Sequence, residues 1–114
     1  MTLLLVATGG VAGVLARYGL GLAVESIWTV VAINLVGCFA LGALTSAGSG
    51  WSEPVRDGLG VGFLGGFTTF STFAVQAVLE TNGGRPGLAA LYLAVSVVGG
   101  VAAAALGYAL GRAL

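Results

Sequence analysis

Four long apolar stretches, joined by short clusters of turn-forming and charged residues, make up almost the whole chain of 114 residues. Roughly 20 mostly apolar residues are enough for a helix to cross the hydrocarbon core of a bilayer. We therefore expect a single all-α membrane domain over residues 1–114, with both termini on the same side of the membrane. The four predicted transmembrane helices are residues 3–24, 27–47, 55–79 and 88–110.

The middle of the third span has a composition that is typical of a broken helix. Between Gly62 and Phe73, a double glycine precedes four hydroxyl residues that are interleaved with phenylalanines. Irregular backbone is tolerated at membrane depth only where protein groups or a water-filled path satisfy its polar atoms. We therefore predict that the third helix breaks near its middle and that the break serves an ion site.

The overall composition supports a membrane location. Hydrophobic residues make up 58% of the chain and charged residues only 7%, whereas soluble domains carry about 25% charged residues. The formal net charge is zero and the four arginines are scattered, which argues against a nucleic-acid partner. The bilayer is thus the first expected partner. The single cysteine, Cys38, is expected to be a packed, inert thiol, because free cysteine behaves as a small buried hydrophobe.

The charges give almost no orientation signal. Lys and Arg are normally in excess on cytoplasmic loops, but Arg56 and Arg112 fall on the side of the termini, and Arg17 and Arg85 fall on the other. We therefore expect the chain to insert both ways up and to pair with its own inverted copy. A single orientation, set by features other than these charges, is the alternative.

Small residues recur four apart in three of the spans, which lets helices approach closely. Such ridges serve either packing within one bundle or a seam between two subunits, and the sequence does not separate these two roles. The ridges are Gly9 and Gly13; Gly58, Gly62 and Gly66; and Gly99, Ala103, Gly107 and Gly111.

Polar side chains lie at similar depths in the second and third spans. Asn34 interrupts an apolar run near the middle of the second span. An unpaired amide in hydrocarbon is costly, so this side chain faces either a neighbouring helix, as a packing bond, or a polar path. The third span offers a polar stripe at i, i+3 and i+7, formed by Thr69, Thr72 and Gln76, with Thr68 and Ser71 alongside.

Aromatic and hydroxyl residues extend this polar region. Phe70 and Phe73 share a helix face at i, i+3, and an aromatic ring presents a positive edge to an anion and a negative face to a cation. Packing in the protein core is the alternative role of this pair. In the fourth span, Tyr92 and Ser96 align at i, i+4, and Gly100 continues that face.

The ionisable residues exclude several classes of protein. Arg17 lies late in the first span, where it either holds the local fold through backbone carbonyls or attracts anions at a vestibule. No His, Asp or Glu lies at the centre of any span. The chain therefore lacks the titratable group of a proton-coupled exporter and the activated nucleophile of a membrane hydrolase, and we do not expect an enzyme.

Together these motifs resemble the Fluc (CrcB) family of small fluoride channels. The resemblance rests on Gly9 to Tyr18, on Asn34 followed by Gly37, and on the run from Gly62 to Phe73, and it spans the whole chain. It implies a fluoride-selective, passive channel that exports cytoplasmic fluoride across the plasma membrane, the inner membrane of a bacterium or archaeon. It also implies an antiparallel homodimer of four-helix subunits.

The resemblance further implies roles for individual residues. A structural Na⁺ at the dimer centre, which is not transported, would be held by the backbone carbonyls of Gly65 and Thr68. Gly100 stands where some relatives are expected to carry a further hydroxyl, which leaves the end of the polar track open. The fluoride path would be lined by Asn34, Phe70, Ser71, Thr72, Phe73, Tyr92 and Ser96, with Arg17 in a vestibule or structural role.

Two other functions fit part of the sequence. A small four-span multidrug-type transporter would share the length and the balanced charge, but it needs a carboxylate buried in the first span, and Glu25 lies too late in the chain. An assembly subunit of a larger membrane complex would use the small-residue ridges. That function leaves Asn34 and the hydroxyl residues of the third span unexplained.

Overall fold

The computed structural model describes residues 1–114, and its regular structure is entirely helical. Four helices are long and apolar enough to cross a membrane, which confirms the all-α, four-span architecture. The third span begins at Glu53 and the fourth at Pro86, each slightly before the predicted start. Pro54 and Pro86 lie in the first turn of these helices, where a backbone N–H has no helical partner and proline is well tolerated.

The elements follow one another with short connections. The first span is α1 and the second is α2, which a 3₁₀ turn extends over Gly48–Gly50. The third span, Glu53–Asn82, is a series of helical pieces, and the fourth is one long helix. The bounds are α1 Thr2–Ala23, α2 Ile27–Ala47, α3 Glu53–Asp57, a π-helical stretch Gly58–Leu64, α4 Gly65–Phe67, α5 Phe70–Asn82 and α6 Pro86–Ala113.

The third span is broken between α4 and α5. The backbone leaves the helix at Thr68 (φ −87°, ψ 157°) and Thr69 (φ −149°, ψ 120°). Thr69 Oγ1 accepts a hydrogen bond from the Thr72 N–H and so caps α5, as hydroxyl residues commonly do at helix starts. The π-helical stretch that precedes the break has a wider turn than an α-helix, a geometry frequent at functional sites.

Two pairs of helices build the bundle. The first half of the third span packs along α1, and α6 packs along α2. Both contacts depend on glycine, because a Cβ on Gly13 would collide with the backbone of Phe63, and a Cβ on Gly107 with the backbone of Phe39. The small-residue ridges that contain these glycines therefore serve close packing inside one subunit.

The buried core is small and lies beside α5. Only 14 of 114 residues are buried, so most apolar side chains face outward, where lipid or another subunit can cover them. The core cluster consists of Val31, Phe73, Ala77 and Tyr92. These residues dock α5 onto α2 and α6, which fixes the part of the third span that follows the break.

Candidate ion site

Asn34 on α2 holds the backbone of the break. Its Oδ1 accepts from the Thr69 N–H at 2.9 Å, and its Nδ2 donates to the Thr69 carbonyl at 3.0 Å. The amide thus satisfies both backbone groups of a residue that lies outside any helix. Since an amide carries two N–H donors, one Nδ2–H of Asn34 stays uncommitted. The packing role that the sequence left open for Asn34 is thus present, and one N–H donor remains uncommitted beside it.

Two backbone carbonyls lose their helical partners at the break. The Thr69 N–H, which would bond the Gly65 carbonyl in a continuous helix, bonds Asn34 instead. The Thr72 N–H, which would bond the Thr68 carbonyl, bonds Thr69 Oγ1 instead. Neither carbonyl accepts a backbone bond that crosses between elements. Both oxygens are therefore available to a hard cation, which prefers oxygen ligands.

A cleft of about 440 Å³, which we name the α2–α6 cleft, opens beside the break. No charged residue lines this cleft, so its polarity comes from an amide, hydroxyl groups and backbone. The Ser96 Oγ atom is buried and has no hydrogen-bond partner. The residues of the predicted ion sites that line the cleft are Asn34, Gly65, Thr68, Phe70, Phe73 and Ser96.

Phe70 and Phe73 line the same cleft but have different surroundings. Phe73 is only 5% exposed and packs against Tyr92 with ring centroids 5.2 Å apart, whereas Phe70 is 76% exposed. The two phenylalanine rings meet edge to face at 5.5 Å. Phe73 therefore belongs to the core as well as to the wall of the cleft, and Phe70 forms its open side.

Tyr92 is fully buried and does not line the α2–α6 cleft. Its hydroxyl donates to Gln76 Oε1 on α5 at 2.6 Å. The sequence placed Gln76 in the polar stripe of the third span but gave no sign of this bond, because it depends on how α5 crosses α6. The bond commits the only proton of the Tyr92 hydroxyl.

A second cleft of about 550 Å³, the Arg17 cleft, lies where α1 approaches α2 and α5. Thr69, Thr72 and Gln76 line it together with Arg17. Arg17 Nε donates to the Gly66 carbonyl at 3.2 Å, so the guanidinium holds the local fold at the end of α4. Its two NH₂ groups make no hydrogen bond within the chain, which leaves donors that face the cleft.

The break separates the predicted fluoride residues: the α2–α6 cleft is lined by Asn34, Phe70, Phe73 and Ser96, the Arg17 cleft by Thr72, and neither cleft by Ser71 or Tyr92. Thr69 lines both clefts. Ser71 is exposed, lies 3.4 Å from Thr69 Oγ1 and lines neither cleft. Cys38, which we expected to be packed away, is half-buried and lines the α2–α6 cleft. No periodicity within α2 could separate a thiol packed on a neighbouring helix from one at a cleft wall.

Comparisons with known proteins place the chain in a family. Residues 4–108 match the family described as CrcB-like protein, Camphor Resistance (CrcB). The chain is 39% identical to the Fluoride-specific ion channel FluC 1 of Bacillus cereus, over 95% of this chain and 85% of that protein. It is 44% identical to the Fluoride-specific ion channel FluC of Novosphingobium aromaticivorans, over 94% of this chain and 93% of that protein.

A third relative extends the comparison. The Fluoride-specific ion channel FluC of Pseudomonas fluorescens is 40% identical, over 95% of this chain and 94% of that protein. Relatives with these names are ion channels, so they favour neither an enzyme nor the transporter and assembly-subunit alternatives. The resemblance seen in the sequence is confirmed: this four-span membrane protein is similar to fluoride-specific ion channels along most of their length and belongs to the CrcB-like family.

Proposed function

We propose that the chain forms a fluoride-selective, passive channel that lets cytoplasmic fluoride leave the cell and so relieves fluoride toxicity. The observation that carries the proposal is the helix break at Thr68 and Thr69, held by Asn34 beside an uncharged cleft in an otherwise apolar bundle. A plain membrane anchor has no need of broken backbone at this depth. The relatives that the chain resembles, which are named as fluoride-specific ion channels, agree with this function.

The α2–α6 cleft offers the kind of donors that a fluoride path needs. Fluoride is small and strongly hydrated, so it must exchange water for several donors, yet a full positive charge would hold it too tightly to conduct. The cleft is lined by Asn34, which keeps one uncommitted Nδ2–H, by Ser96, whose buried hydroxyl has no partner, and by the rings of Phe70 and Phe73. All four groups are neutral, which favours passage over tight binding.

On the other side of α5, the Arg17 cleft serves as the vestibule of this path. The free guanidinium NH₂ groups attract anions to it, and the Thr72 hydroxyl lies at its wall. Tyr92 contacts Phe73 of the α2–α6 cleft and donates its hydroxyl to Gln76 of the Arg17 cleft, so a passing anion can accept a hydrogen bond from Tyr92 only when that bond opens. Ser71, next to Thr69, completes the hydroxyl groups around the break.

We further propose that two chains assemble as an inverted homodimer around a structural Na⁺. One subunit leaves its cleft open on the side of Phe70, and hard cations take about six oxygen ligands, more than the Gly65 and Thr68 carbonyls of one chain supply. A second copy doubles the number of these carbonyls. Bound there, Na⁺ would supply the positive charge that keeps the two breaks together, without being transported. The plasma membrane is the proposed location.

The proposal is tested by anion efflux from liposomes that contain the purified protein. Vesicles are loaded with potassium fluoride or potassium chloride, valinomycin sets the voltage, and ion-selective electrodes record release. We expect rapid fluoride release, no chloride release, and neither from protein-free vesicles. Absence of fluoride release from protein that is folded by circular dichroism would refute the channel. Light scattering of the purified protein in detergent tests the dimer separately. Fluoride efflux measured in buffers with sodium and in buffers where N-methylglucamine replaces it tests whether the channel depends on Na⁺.

A further inference from the structure

Cys38 lies in the α2–α6 cleft, one helical turn beyond Asn34 on the same face of α2. Its Sγ atom is 3.5 Å from the position that a Cβ on Gly100 would take. Gly100 is the position at which the polar face of α6 loses its side chain after Tyr92 and Ser96. The thiol of α2 therefore occupies the space beside the gap in α6.

A second feature marks this part of the cleft as a place for a ligand. The Ser96 Oγ atom exposes less than 1 Å² and has no hydrogen-bond partner. Ser96 precedes Gly100 by one turn of α6 and lines the same cleft. Buried hydroxyl groups are almost always hydrogen-bonded, so this hydroxyl lacks a partner that a ligand in the cleft would supply once rotation about the Cα–Cβ bond of Ser96 turned the oxygen toward it.

We propose that the Cys38 thiol is a further donor of the fluoride path and takes the place of a hydroxyl at residue 100. A thiol is a weak but neutral S–H donor, so it extends the path from Ser96 without adding a fixed charge. In this arrangement the track crosses from α6 to α2 at Gly100, where a Cβ would stand in ordinary contact with the sulfur. This inference rests on the proposed function, since it assumes fluoride in the α2–α6 cleft.

The first test moves the donor from one helix to the other. Cys38→Ala removes the thiol, and we expect fluoride efflux to fall about fivefold, less than for loss of the Asn34 amide because a thiol is the weaker donor to the anion. Cys38→Ala combined with Gly100→Ser returns a donor from α6, in the space that the sulfur has vacated, and should restore most of the flux. Val98→Ala is the matched control, because Val98 is 69% exposed on α6 and lines no described cleft.

The second test probes the thiol in the unmodified protein and uses Cys38→Ala only as its control. Cys38 is the only cysteine, so Ag⁺, a soft cation that prefers thiolate ligands, has one strong site in the chain. Ag⁺ binds the thiolate and the thiol proton leaves to solvent. With nitrate as the counter-ion, we expect Ag⁺ to block fluoride efflux through the unmodified protein and to leave the residual efflux of Cys38→Ala unaffected.

The outcomes separate this inference from the proposed function. Fluoride efflux that is equal in Cys38→Ala and the unmodified protein, or that is lost in Cys38→Ala and not restored by Gly100→Ser in a folded double variant, overturns the thiol donor. Insensitivity of the unmodified protein to Ag⁺ overturns it as well. Each of these results leaves the channel itself standing, whereas an unmodified protein that releases no fluoride removes the proposed function first.

Discussion

Replacing Asn34 is expected to loosen the helix break and to slow fluoride at the same time. The side chain joins α2 to the broken backbone through two hydrogen bonds with Thr69, at 2.9 and 3.0 Å. Asn34→Ala leaves the Thr69 N–H and carbonyl without these partners. It also removes the Nδ2–H that we assign to fluoride. The two effects have different readouts and different sizes.

The expected magnitudes follow from the bonds that are lost. A hydrogen bond in a membrane protein contributes about 0.6 kcal/mol on average and an ordinary one about 1 kcal/mol, so two of them give roughly 1 to 2 kcal/mol of unfolding free energy. A hydrogen bond to a charged group contributes about 1.5 to 3 kcal/mol. Since about 1.4 kcal/mol is a factor of ten, fluoride flux should fall roughly 10- to 100-fold.

Asn34→Asp adds a charge at the same place. A carboxylate oxygen still accepts from the Thr69 N–H, but it faces the Thr69 carbonyl without a donor and buries a charge at membrane depth, so this variant should be no more stable than Asn34→Ala. Its negative charge repels fluoride, so flux should fall at least as far as in Asn34→Ala. The matched control is Thr45→Val, because the Thr45 hydroxyl bonds only the Leu41 carbonyl within α2, at 2.7 Å.

Stability is measured by equilibrium unfolding in mixed micelles with increasing dodecyl sulfate, and flux by a fluoride electrode on liposomes with equal amounts of protein. The reasoning is refuted if Asn34→Ala unfolds at the same detergent fraction as the unmodified protein and conducts at the same rate. A loss of stability with full flux would keep Asn34 as a clamp on the break and remove it from the fluoride path.

Three further predictions follow from the packing around the break. Phe73→Ala should cost about 3 to 5 kcal/mol of unfolding free energy, because Phe73 is only 5% exposed. Phe70 is 76% exposed, so Phe70→Ala should lower flux with little loss of stability. Equal losses of stability in unfolding measurements on the two variants would contradict this division. Gly13→Ala should prevent α1 from packing on the third span and abolish the folded peak in gel filtration, while Gly19→Ala, with no atom within 4 Å of the built Cβ, should not. Gly65→Leu should alter the dependence of flux on sodium, and an unchanged sodium dependence would argue against the carbonyl site.

The four spans and the position of the break were predictable because the bilayer imposes strict conditions on a sequence. A spanning helix needs a minimum apolar length, and backbone at membrane depth must be satisfied. The double glycine at Gly65 and the capping hydroxyl of Thr69 therefore have few interpretations. In the structure, the backbone leaves the helix at Thr68 and Thr69, directly before α5.

Contacts between helices were less predictable, because periodicity describes one helix at a time. The sequence left the glycine ridges open between two roles, and the backbone contacts of Gly13 and Gly107 assign those ridges to packing within the subunit. The bond from Tyr92 to Gln76 and the place of Cys38 in the cleft depend on how two helices cross. No pattern along α2, α5 or α6 alone contains that information.

The central claim, a passive channel that selects fluoride, is tested most directly by current through a planar bilayer that holds the purified protein. Fluoride bathes one side and an equal concentration of chloride the other, with sodium on both sides. We predict a current whose reversal potential lies far from zero and has the sign expected when fluoride alone carries the current. A current that reverses at zero, or no current from folded protein, would contradict the account.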